Sequence, residues 1–147
     1  MQPASAVVEK PPAEDVVLRM MLAMNRRFRA RVDGDVVDAS QAGVLHALKA
    51  KGPIRLGDLA EAMHLDASTV SRHVQQLCDR GLIERGPDPE DGRARIIAIS
   101  DAGRDGLRCS FDLRRAVITE AMADWTDEER DRLRDDLLRL DESLGEL

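Results

Sequence analysis

Along residues 56–81, LGDLAEAMHLDASTVSRHVQQLCDRG, the apolar positions fall into two helical periods separated by a break. Leu59, Ala60 and Met63 have the i, i+1, i+4 spacing of one buried face, which predicts a short first helix. His64 and Leu65 interrupt it. Asp66 follows as the expected N-cap, a carboxylate for the unpaired amides at the positive end of a new helix. In that second helix Val70, Val74 and Leu77 recur at i, i+4, i+7 and mark the inward side, and Gly81 is the expected stop. Behind it, β-prone residues 82–85 and 93–100 flank a run of Gly, Pro, Asp and Glu. That pattern predicts a hairpin, which directly behind a helix-turn-helix is a wing.

Upstream, Val17, Met20, Met21, Met24 and Phe28 lie at helical spacing within residues 13–32. Arg26, Arg27, Arg29 and Arg31 crowd the end of that stretch, where a helix dipole favours cations. Asp33, Gly34 and Asp35 predict a turn. The next helix is expected to start at Ser40 as N-cap, bury Val44, Leu45 and Leu48, and stop at Gly52 and Pro53. Downstream of the wing, two long helices are expected over about 101–123 and 127–144. Leu107, Phe111, Ile118, Met122 and Trp125 form one stripe of the first, Leu113 and Val117 a second. Thr126 and Glu129 have capping-box spacing ahead of the last helix, which repeats Leu133, Leu137, Leu140 and Leu144. Such stripes need a partner surface. A two-fold dimer in which the first and last two helices of both chains interlock provides one, and an intramolecular three-helix pack is the other solution.

The predicted fold class is therefore mostly α with a small β-wing: a winged helix-turn-helix flanked by N- and C-terminal dimerisation helices. Its expected divisions are a flexible tail (1–12), an N-terminal dimerisation helix and turn (13–38), the winged domain (39–100) and C-terminal dimerisation helices (101–147). With one Trp, two Phe and no Tyr among 147 residues, the core must be built from Leu, Val, Ile, Ala and Met. No signal-peptide pattern is present and no run approaches the ~18 apolar residues of a membrane span. Two cysteines, Cys78 and Cys109, fit a reducing compartment. A soluble, cytoplasmic and nucleoid-associated protein is the expectation.

The outward side of the second helix carries Ser68, Thr69, Ser71, Arg72, Gln75 and Gln76, with no acid from Ala67 to Cys78. In a major groove such groups read base edges: Arg reaches guanine, Gln reaches adenine, and Ser or Thr bonds bases or phosphates. At the wing, Arg93 and Arg95, two residues apart on one strand face, suit the narrow and strongly negative minor groove. Asp91 is near enough in sequence to pair with one of these Arg and orient it. Glu84, Asp88 and Glu90 read as solvated acids. The expected partner is double-stranded DNA bearing a pseudo-palindromic operator, whose half-sites lie roughly 10 bp apart for a dyad-related pair of reading heads.

Charge constrains this reading. The formal net charge is -6, and residues 55–95 hold six Arg against eight acids, a balance of -2. Residues 96–147 hold eight Arg and fourteen acids, again -6. Local arrangement must therefore do what bulk charge does not, which points to specific rather than promiscuous binding. A winged-helix interaction module without DNA binding is the alternative that this acidity permits. No phosphate loop, nucleophile elbow or paired-carboxylate pattern marks an enzyme or a cofactor, and His46, His64, His73 and the two Cys have no metal-ligand spacing.

In the segment DGRARIIAISDAG, Asp91, Arg93, Ile99, Ser100 and Gly103 match, with Ile for Leu and Ser for Thr, a signature of Asp, one residue, Arg, five residues, Leu, Thr, two residues, Gly. Together with GPIRLGDLAEAMHLDASTVSRHVQQLCDRGLIER upstream, the chain resembles the MarR family of bacterial winged-helix regulators over about residues 39–104. The resemblance implies a homodimeric transcriptional regulator, a repressor released from its operator by a small aromatic or drug-like effector. The effector would sit between the dimer helices and the winged domain, lined here by Met20, Met24, Phe28, Leu45 and His46. It also implies a third short strand at Ile54. Thiol-sensing members carry a cysteine near the start of the first helix, which this chain lacks. Cys78, read as packing beside the recognition helix, would be the residue of a thiol-responsive alternative. One departure stands out: Arg55 occupies a position where the family commonly has Thr or Ser as an N-cap, so the helix that follows is expected to lean on Asp58 and packing.

Overall fold

The computed structural model describes residues 10–29 and 34–145. The expectations for residues 1–9, Arg31 and Asp33 lie outside them. The elements, in chain order, are α1 (Ala13–Arg29), α2 (Ala39–Lys51), β1 (Ile54–Arg55), α3 (Leu56–Ala62), α4 (Ala67–Asp79), β2 (Ile83–Pro87), β3 (Arg95–Ile99), α5 (Asp101–Ala121) and α6 (Asp127–Gly145). The chain forms two compact units, Met1–Ser110 and Phe111–Leu147.

In the first unit the three strands make an antiparallel sheet in the order β1-β3-β2. Ile54 pairs with Ile97, as the resemblance implied, and Ile83 pairs with Ile99. Side chains alternate between the two faces along each strand, and one face of the small sheet lies on the core, where Ile83, Ile97 and Ile99 are buried. Val44, Leu45 and Leu48 of α2, Leu59 and Ala60 of α3, Val70, Val74 and Leu77 of α4, and Leu107 of α5 complete that core. The spacing-derived inward faces of α2, α3 and α4 are thus the buried ones. Burying each such Leu or Val side chain contributes roughly 1.5–3 kcal/mol, which is why a core almost without aromatic rings suffices.

Helix ends differ from the sequence expectations in instructive ways. α2 starts two residues earlier: Asp38, not Ser40, is the N-cap, and its carboxylate accepts from the Gln41 backbone N–H at 2.8 Å. Both residues are good cap formers, and it is the Asp38 carboxylate that meets an unpaired first-turn amide. α3, by contrast, begins as expected after Arg55, which makes no side-chain cap bond, with Asp58 in the first turn. α5 stops at Ala121, two residues short of the expected 123.

The C-terminal anchor of the wing explains the Ile99, Ser100 and Gly103 part of the signature. The Ser100 hydroxyl donates to the Gly81 carbonyl at 2.6 Å while its oxygen accepts from the Gly103 N–H at 3.0 Å. One small side chain therefore caps α5 and ties it to the end of α4. A Cβ on Gly103 would fall against the Leu82 carbonyl oxygen and 2.9 Å from Ile99 Cγ1, so only glycine fits.

In the second unit, Thr126 and Glu129 form the expected reciprocal box: Glu129 accepts from the Thr126 N–H at 2.8 Å and Thr126 Oγ1 accepts from the Glu129 N–H at 3.2 Å. No described residue of α6 is buried. Leu137, Leu138, Leu140 and Leu144 are exposed there, as are Val16, Leu18, Met20, Met21 and Leu22 on α1. No described helix is long and apolar enough to cross a membrane.

Candidate nucleic-acid interface

Two chain reversals aim α4 outward. At the first, Met63 closes α3 and His64 takes a left-handed φ of 50°. The His64 N–H donates to the Glu61 carbonyl and the Leu65 N–H to the Ala60 carbonyl, the paired bonds of a Schellman stop made without glycine. At the second, Gly81 with φ 71° lets its own N–H reach the Cys78 carbonyl and the Leu82 N–H reach the Leu77 carbonyl. Asp66 does occupy the N-cap position of α4 with extended backbone, but its carboxylate makes no cap hydrogen bond. The expectation of a side-chain cap is therefore corrected: the turn geometry alone starts the helix, and the carboxylate stays exposed near its positive end.

With Val70, Val74 and Leu77 inward, the 100° helical step puts Ser68, Arg72, Gln75 and Asp79 at the middle of the opposite side, with Gln76 toward one border. Ser68, Arg72, Gln75 and Gln76 are exposed; Thr69 and Ser71 are half-buried on the flanks. The six residues singled out from sequence do share the non-core surface of α4, but they are not equivalent. The Gln75 amide donates to Asp79 at 2.7 Å and its carbonyl accepts from Arg85 of β2 at 2.8 Å. Gln76 accepts from the Gln41 amide of α2 at 3.2 Å. Arg80 in turn donates to Gln41 Oε1 at 3.2 Å and to the Val36 carbonyl. Sequence reading missed the links that Gln76 and Arg80 make to residues 36–41 because those partners are 35 to 44 residues apart.

The wing carries the second set. Residues 88–94 form its loop, closed by the Asp88 N–H to the Ala94 carbonyl at 3.1 Å and the Ala94 N–H to the Asp91 carbonyl at 2.8 Å. Arg93 is exposed in this loop, and β3 begins only at Arg95, so the shared strand face expected for the two Arg does not exist. Asp91 does act on Arg93, though through the backbone: its Oδ1 accepts from the Arg93 N–H at 3.1 Å. Its other oxygen lies 4.0 Å from the Arg55 guanidinium.

Asp88 was read as a solvated acid and is instead nearly buried. Its Oδ2 takes Arg55 Nη2 at 2.6 Å and Nε at 2.7 Å, and its Oδ1 accepts from the Glu90 N–H at 2.9 Å. The Glu90 amide and the Arg55 guanidinium hold the Asp88 carboxyl below the usual carboxylate range. The only hint in the sequence was Arg55 itself, a cation in a cap position where it can satisfy no amide.

The residues expected to line an effector site do not come together as a set. Met20 and Met24 share a shallow depression on α1 with Ala23, Arg26 and Arg27. Leu45 is fully buried in the winged core and offers no lining surface, and His46 is exposed on α2. In the single chain Met20 and Met21 are exposed and Met24 is half-buried. Cys78 is half-buried against the core and Cys109 is exposed.

Comparison with known proteins now bears on these features. A sequence model of the MarR family matches residues 37–94. An HTH-type transcriptional regulator of Mycobacterium bovis is 30% identical over 122 residues, spanning 83% of this chain and 85% of that one. The HTH-type transcriptional repressor NicR of Pseudomonas putida is 26% identical over 134 residues, spanning 87% of this chain and 85% of that one. Among solved structures, the ligand-free wild-type MarR of E. coli superposes with a TM-score of 0.78 at 20% identity, covering 90% of this chain and 98% of that one.

Proposed function

The chain belongs to the MarR family of DNA-binding transcriptional regulators, and we propose that it acts as a homodimeric repressor on an inverted-repeat operator and is released by a small-molecule effector. The observation that carries this reading is the pairing of two exposed elements in one unit. The outer surface of α4 offers Ser68, Thr69, Ser71 and Arg72 free of acids over its first three turns, and the wing loop offers Arg93. Arg72 fits a guanine edge in the major groove, and Arg93 on a thin projection fits the minor groove beside it. Gln75 and Gln76 belong to the same surface but must exchange protein partners for bases, so Gln75 reads a base only by releasing Arg85 or Asp79. Arg95, exposed at the start of β3, is assigned to phosphate.

Apolar side chains left open on α1 and on α6 supply the argument for a second copy of the chain, since exposed stripes of this extent are covered in stable soluble proteins. For the effector, the Met20 and Met24 surface with Arg26 and Arg27 at its rim suits a small aromatic acid, the ring on the thioethers and the carboxylate on the guanidiniums. The repressor sense rests on the relative named as one.

The test is a mobility shift on the DNA upstream of the regulator's own gene at moderate salt. Arg72→Ala and Arg93→Ala are each expected to weaken binding at least several-fold. Equal affinity for this DNA and for random duplex, or variants indistinguishable from the parent, overturns the reading.

A further inference from the structure

Arg55 stands at the end of β1, on one edge of the sheet, yet its ion-pair partner Asp88 follows β2 on the other edge. Registers explain the reach. Arg55 pairs with Ile96, Ile96 pairs with Gly86, and Asp88 lies two residues beyond Gly86, so the guanidinium crosses the end of β3. It meets Asp88 Oδ2 with two nitrogens at 2.6 and 2.7 Å and comes within 4.0 Å of Asp91. Asp91 is the residue whose other oxygen holds the Arg93 N–H, and Asp88 is the residue whose N–H closes the loop on Ala94. Two of the ties that shape the loop, from the Glu90 N–H to Asp88 and from the Arg93 N–H to Asp91, therefore run through the carboxylates facing Arg55, and the two backbone bonds that close the loop involve the main chain of the same two residues. Arg55 also forms the N-cap of α3, the first helix of the reading head.

We infer that Arg55 is a positioning residue for DNA recognition: through Asp88 and Asp91 it clamps the wing loop to the start of α3 and fixes where Arg93 enters the minor groove. The inference rests on the proposed minor-groove role of Arg93 and adds to it a residue outside the wing. A held Arg93 loses less freedom on binding than one on a free loop, and its position relative to α4 sets which base steps must present a narrow groove. Arg55 touches no DNA in this scheme. Its substitution removes the loop's anchor while leaving the contact residues intact.

A double-mutant cycle on the upstream DNA tests this, with melting curves confirming that each variant is folded at the assay temperature. Arg55→Ala is expected to weaken operator binding about five-fold or more in the parent, and less than two-fold in the Arg93→Ala background. Asp88→Asn, which keeps an acceptor for the Glu90 N–H but drops the charge, is expected to fall in between and to add nothing to Arg55→Ala. A second readout separates positioning from stability: the affinity ratio between operators carrying A·T or G·C steps under the wing. Arg55→Ala is expected to flatten that ratio, whereas a merely destabilised protein keeps it. Equal losses from Arg55→Ala with and without Arg93, or an unchanged ratio, overturns the inference. Should Arg93→Ala itself leave binding intact, the minor-groove reading fails first and independently.

Discussion

The side-chain amide of Gln41, buried on α2, donates to Oε1 of Gln76 on the recognition helix at 3.2 Å. This bond places Gln76 in the protein's own framework, since Gln41 is also held by Arg80, which reaches back to the Val36 carbonyl. Gln76→Ala removes one acceptor from a partly buried amide, at a cost of about 0.5–1.5 kcal/mol. Urea denaturation should show that loss, while the ranking of operator base substitutions stays as in the parent. Arg72→Ala should behave in the opposite way, with unchanged stability and about 1–3 kcal/mol less discrimination at one base pair. A Gln76 variant that relaxes specificity at a single position would instead show that Gln76 exchanges Gln41 for a base on binding.

How much of this was legible in sequence follows from the range of the forces involved. The inward faces of α2, α3 and α4 are short-range periodicities, and Val70, Val74 and Leu77 announce their helix because nothing else places them on one side. The wing was equally plain, as turn chemistry acts within a few residues, whereas Gly103 stood out only through the family resemblance, since the Leu82 carbonyl that a Cβ there would strike belongs to a distant part of the chain. The helix caps were harder. Asp38 and Ser40 are both capable cap formers so close together that local residue preference does not separate them. Asp88 was out of reach, because nothing near it in sequence marks a partner 33 residues away on the far side of a strand. The outward residues of α4 were legible as a set, but that Gln75 and Gln76 both already hold protein partners depends on Arg85 and Gln41, supplied by other elements.

Gly103 and Gly106 lie on the same turn of α5 and should respond oppositely to alanine. A Cβ at Gly103 runs into the Leu82 carbonyl oxygen and lies 2.9 Å from Ile99 Cγ1, so the backbone of α5 or of the wing must move. Overpacking of this kind costs about 1–3 kcal/mol, more when backbone is the obstacle. At Gly106 the nearest atom, Val36 Cγ1, is 3.7 Å away, an ordinary contact. There alanine should stabilise by roughly 0.5–1 kcal/mol through helix propensity. Thermal melts of the two variants decide it, and a tolerated Gly103→Ala would show that Ser100 does not pin the wing to α5 as tightly as its two hydrogen bonds imply.

Acid should release the wing loop before it unfolds the core. Asp88 is held below the ordinary carboxylate range, first by the Glu90 N–H and then by Arg55. A depressed folded-state pKa means that the contribution is fully present above the unfolded value and is lost as pH falls through the folded one. The parent and Asp88→Asn should therefore differ by a constant amount in stability from about pH 5.5 upward, and begin to converge only as pH falls below about 4 toward the lower folded-state pKa. Stability measured by denaturant across that window checks the sign. A gap that widens in acid would mean that Asp88 is not the charged partner of Arg55.

The last helix has no buried residue of its own, and that gives the most demanding prediction. Leu137, Leu140 and Leu144 recur at i, i+3, i+7 on one side of α6 and are 41%, 38% and 58% exposed in the single chain. Each offers roughly 1.5–3 kcal/mol if a second copy covers it. Paired Leu137→Asp and Leu140→Asp substitutions would instead bury charge in that interface, so the particle mass should fall from about twice 16.3 kDa to 16.3 kDa. The winged core contains neither residue, and its cooperative melt should persist. Operator binding should collapse toward that of one half-site, because a dyad-related second reading head is what converts two weak contacts into one strong one. A parent protein that already runs at the mass of one chain, and still binds the full operator tightly, would remove dimerisation from the mechanism and leave the α6 stripe to some other partner.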